Sequence, residues 1–63
     1  KMLYQGLVIK SNDDGGDALW RIIALYEHTL VVQQLFGTYT DVISYTDVRP
    51  CFTPPPNTWW VKG

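Results

Sequence analysis

The eighteen residues from Leu19 to Phe36 decide what this chain can fold into. Wound as a helix at about 100° per residue, they scatter Arg21, Glu27, His28, Thr29, Gln33 and Gln34 around the whole cylinder, where a surface helix needs one polar face. Folded as two strands reversing at Glu27-His28, the segment makes sense. The polar cluster becomes a turn, and Ile22, Ile23, Val31 and Val32 are β-branched residues in strand interiors, where stiff side chains pack well. The segment predicts a β-hairpin with its reversal inside Tyr26–Thr29, and the chain an all-β fold.

The rest of the sequence supplies further strands. Met2 to Ile9 alternates loosely and reads as a first strand bent or bulged at Gly6. Residues 11–17, Ser-Asn-Asp-Asp-Gly-Gly-Asp, form a solvated loop of turn-forming residues. Leu19–Tyr26 and Thr29–Phe36 are the second and third strands. Asp41–Tyr45 is a fourth, followed by a tight turn at Thr46-Asp47. Val48–Phe52 is a fifth, which Pro50 assigns to a sheet edge. Pro54-Pro55-Pro56 then leaves the sheet as a stiff polyproline segment carrying Trp59-Trp60. A Tyr-Thr-Asp-Val string occurs at Tyr39–Val42 and at Tyr45–Val48, far too short a period for a repeat fold. It reads as a favoured turn pair ahead of a strand.

With 63 residues there is room for one small core. Cys51 is the only cysteine, so no disulfide forms within the chain, and no Cys/His cluster offers a structural zinc. Nine aromatic residues take over that stabilising role. The lone cysteine fits a reducing, cytoplasmic setting, and no segment has the length and apolarity of a membrane span. Met2 reads as a natural start after one vector-derived residue, which would make the gene product small and self-contained.

Five short strands, a long first loop, a central hairpin and a tight turn before the last strand describe a five-stranded SH3-like small barrel. It would span residues 1–53, with a Pro/Trp tail over 54–63. The order Ala18-Leu19-Trp20-Arg21-Ile22-Ile23-Ala24-Leu25, Leu30-Val31-Val32, Asp41-Val42-Ile43-Ser44, Asp47-Val48-Arg49-Pro50 resembles SH3-like nucleic-acid-associated domains. The C-terminal domain of retroviral integrases, with a Trp entering a strand, a Val-Val strand and a closing Val-Arg, is similar in layout. Tudor and KOW-type barrels share the rhythm. The likeness covers about Leu3 to Phe52 and is one of strand layout. The Lys-rich strands by which integrase domains would contact DNA have no counterpart here.

Residue chemistry excludes more than it assigns. His28 sits at a hairpin tip with no nucleophile or orienting group held around it, and Cys51 reads as a buried, inert thiol, so no enzyme is expected. The Asn12–Asp17 loop lacks EF-hand spacing and a closing Glu, so no metal or other cofactor is expected. The formal charge of −1 argues against strong binding to phosphate backbones.

Strict alternation about a Leu25–Leu30 pair leaves both hairpin faces apolar, and one of them needs a cover. The tail tryptophans, a second copy in a homodimer, or a partner could supply it. The expected function is a non-catalytic interaction module that binds a protein through an aromatic surface drawn from Tyr4, Trp20, Tyr26, Tyr45, Trp59 and Trp60. The alternatives are a nucleic-acid-associated regulator using Lys10, Arg21 and Arg49, with weak binding, and a phage- or mobile-element-encoded inhibitor of a host protein.

Overall fold

The computed structural model describes residues 3–11, 18–50 and 59–61, with the backbone alone at 50 and 59–61. These residues are all-β, with one short 3-10 turn among them at Tyr45–Asp47. The strands are β1 (Val8–Ser11), β2 (Ala18–Leu25), β3 (Thr29–Gln34), β4 (Thr40–Ser44), β5 (Val48–Pro50) and β6 (Trp59–Val61). They form a single sheet in the order β4-β3-β2-β1-β6-β5. All neighbours are antiparallel except β1 and β6, which run parallel.

The expected hairpin is present. β2 and β3 pair about Leu25–Leu30, and the Tyr26 N–H donates to the Thr29 carbonyl at 2.8 Å to close the reversal. Leu35 and Phe36, expected at the end of the third strand, lie in the turn that follows it.

The expected face assignment is overturned. Ile22 pairs with Val32 but Ala24 with Val31, so Ile23 is an extra residue in β2. Such a bulge shifts every side chain beyond it to the other face. Trp20 and Ile22 therefore share a face with Leu25, Leu30 and Val32 instead of opposing them. That face is the core: Leu7, Ile9, Trp20, Ile22, Leu30 and Val32 are buried, with Leu3, Ala18, Leu25, Ile43, Tyr45 and Val48 packed against them. Burying each large aliphatic side chain contributes about 1.5–3 kcal/mol. The opposite face carries Arg21, Gln33 and Thr40 on one row.

A second irregularity sits across from Ile22. The Leu7 N–H donates to the Tyr4 carbonyl, closing a tight turn in which Gly6 has φ 99°. Positive φ at this turn position calls for glycine. The Gly6 N–H then takes the Ile22 carbonyl, and Ile22 N–H donates to the Leu7 carbonyl. The sequence placed a bend at Gly6 inside a strand from Met2; the strand itself starts later, at Val8.

The tail is the main departure from expectation. The described residues hold six strands where five were expected, because the backbone of Trp59–Val61 enters the sheet as β6 between β1 and β5. β5 is an edge strand, as Pro50 required. Among the described residues the sheet is open, with β4 and β5 at its two ends and no pairing between them. The loop at 12–17, Cys51, Phe52, the Pro-rich segment and the tail indoles lie outside the described residues and side chains.

Candidate functional site

The aromatic residues fall at opposite ends of the sheet. Tyr4 is held beside the later half of β2 by the Gly6–Ile22 bond. Tyr26 flanks the hairpin reversal, and the Tyr45 N–H donates to the His28 carbonyl at 3.3 Å, so these two tyrosines stand at the reversal end. Tyr4 and Tyr26 are exposed, and Tyr45 packs against the core. His28 Nε2 lies 3.6 Å from Glu27 Oε2 at the exposed turn tip, a contact of a kind that contributes little.

Trp20 is at the other end and is core, 8% exposed. Its ring meets Tyr39 edge to face, with centroids 6.2 Å apart and planes at 65°, a favoured aromatic geometry. Its Nε1–H is buried and has no acceptor among the described residues. Beside this pair an open hollow of about 320 Å³ is lined by Ala18, Leu19, Gln34 and Phe36. Phe36 is 90% exposed and Tyr39 63% exposed. Sequence reasoning did not select these two residues. Phe36 was read as the last residue of a strand, although the Gly-Thr after it already marks a turn that strands a ring at its tip.

The three scattered cations come together on one face. Lys10 registers with Leu19 on β2 and Trp60 on β6, and Trp60 registers with Arg49 on β5. Arg21 registers with Val8, two positions from Lys10. Paired residues and residues two apart share a face, so all three are on the side away from Ile9 and Trp20. Lys10 is buried there. Arg21 and Arg49 are exposed, donating to the Gly6 carbonyl at 3.3 Å and the Thr46 carbonyl at 2.8 Å.

Among the described residues no group of three or more His, Cys, Asp or Glu could hold a metal ion. Among the same residues no helix is long and apolar enough to cross a membrane. No family model, no curated protein and no solved structure matches this chain.

Proposed function

We propose that this chain is a non-catalytic interaction module that binds a protein partner through exposed aromatic side chains. The observation that carries the reading is Phe36, a nearly fully exposed ring at a turn tip on the rim of an open hollow, with the exposed Tyr39 three residues further along the chain and its ring against Trp20. Exposed rings recur as binding hot spots because they bury large area while freezing few rotors. Anchoring Tyr39 on a buried tryptophan lowers that ordering cost further. The long first connection, the central hairpin and the tight turn before β5 support an SH3-like layout for the module, here with an additional strand between β1 and β5.

The test is capture of partners from lysate under nuclease treatment, comparing the intact chain with Phe36→Ser and Tyr39→Ser. A protein held by the intact chain and lost with either variant is the expected result. Undiminished capture by both variants would overturn the site.

A second reading, binding of nucleic acid, draws support from the common face of Lys10, Arg21 and Arg49. Two exposed guanidinium groups, each engaged with a carbonyl, offer few phosphate contacts, so this binding is weak and sensitive to salt. Capture that vanishes with nuclease would favour it.

A further inference from the structure

β4 ends the sheet, so one of its edges pairs with β3 and the other has no strand beside it among the described residues. Two bonds fix which groups face outward. The Gln34 N–H donates to the Tyr39 carbonyl, and the Tyr45 N–H to the His28 carbonyl. Bonded pairs recur at every second position of an antiparallel ladder, so Asp41 and Ile43 bond inward to Val32 and Leu30. Thr40, Val42 and Ser44 therefore turn their N–H and C=O groups to the open edge. The middle donor of that row is occupied by a side chain: the Val42 N–H donates to Asp41 Oδ1 at 2.8 Å.

This edge suits its own copy. An antiparallel two-fold axis through Val42 sets Val42 against Val42 of the second copy, Thr40 against Ser44, and Asp41 against Ile43. Hydroxyl pairs and β-branched pairs are favourable cross-strand neighbours. The apolar row Ala24, Val31, Val42, now ending at a side chain 61% exposed, would run on into the second copy. One residue opposes the pairing. Asp41 occupies the Val42 donor and stands diagonal to its own copy, where like charges repel.

We propose that the open edge of β4 pairs with a second copy of this chain, and that Asp41 sets the strength of that pairing. The pairing uses the backbone edge of β4 and no aromatic side chain. A five-residue strand buries less than the ~1,200 Å² of a stable interface, so the unmodified chain forms a weak dimer.

Sedimentation equilibrium over a wide concentration range tests this. Asp41→Ala frees both Val42 donors and tightens the dimer about tenfold. Adding Val42→Pro abolishes it, since proline is tolerated where an edge N–H faces outward but cannot donate. Adding Val42→Lys instead places two like charges directly opposite and has the same effect, which covers the case in which the proline variant fails to fold. A D41A chain no tighter than the unmodified one, or a dimer that survives both Val42 changes, overturns the proposal. So does a D41A chain that stays monomeric while binding a synthetic Thr-Val-Lys-Val-Thr peptide, which would give the edge to a foreign strand.

Discussion

Ile22 lies where two irregularities of the sheet meet, the Gly6 turn on its β1 side and the Ile23 bulge on its β3 side. Gly6, in the first of these irregularities, and Gly37, in the turn after β3, respond differently to a methyl group. At Gly6 an added Cβ would meet nothing within 4 Å, yet φ is +99°. Gly6→Ala therefore costs about 1–2 kcal/mol through backbone strain alone. At Gly37 the added Cβ would come within 2.5 Å of Gln34 Oε1, the far end of a flexible, exposed side chain. Once that amide swings away, Gly37→Ala is neutral, or stabilising by roughly 0.4–1 kcal/mol through a less free unfolded chain. Urea unfolding of both variants checks the pair, and a Gly6→Ala protein as stable as the unmodified one would contradict the strain argument.

Among the elements, the hairpin was legible from sequence because polar residues cluster at its turn and β-branched residues fill its strands. Its reversal and its Leu25–Leu30 register both follow from that pattern. The bulge was not legible, because an inserted apolar residue in an apolar run leaves no mark on composition. Strict alternation then puts Trp20 and Val32 on opposite faces, whereas the folded chain gathers both in the core. The Phe36–Tyr39 site was missed for a related reason, a strand drawn two residues too long. The Pro-rich segment likewise hid β6, since Pro54-Pro55-Pro56 forbids ladder bonds only at its own positions.

Deleting Ile23 tests the bulge directly. With Ile23 removed, Ile22, Ala24 and Leu25 face Val32, Val31 and Leu30 in unbroken register, and Trp20, Ile22 and Leu25 keep the core face. The deletion should therefore keep cooperative unfolding, and Ile23→Ala, at a half-buried position, should cost only about 1 kcal/mol. Circular dichroism melts check both, and loss of the cooperative transition on deletion would contradict the assignment of Ile23 as the extra residue.

At the scale of the whole molecule, β6 joins β1 to β5 and so ties one end of the sheet together. Removing residues 57–63 takes away both ladders of β6 and leaves β1 with an unpaired edge. A loss of about 2 kcal/mol corresponds to a Tm lower by about 10 °C in a domain of this size. A truncated chain that melts unchanged would show that β6 contributes nothing to stability.

The same strand shapes the order of assembly. The hairpin is a local structure, of the kind that forms in about 1–10 μs. The β1–β6 ladder joins Lys10 to Trp60, fifty residues away along the chain, and a contact so distant must overcome the entropy of closing nearly the whole chain. It belongs on the native side of the folding barrier. Interactions made there slow unfolding more than they speed folding, so the tail governs how long the folded state lasts once it has formed.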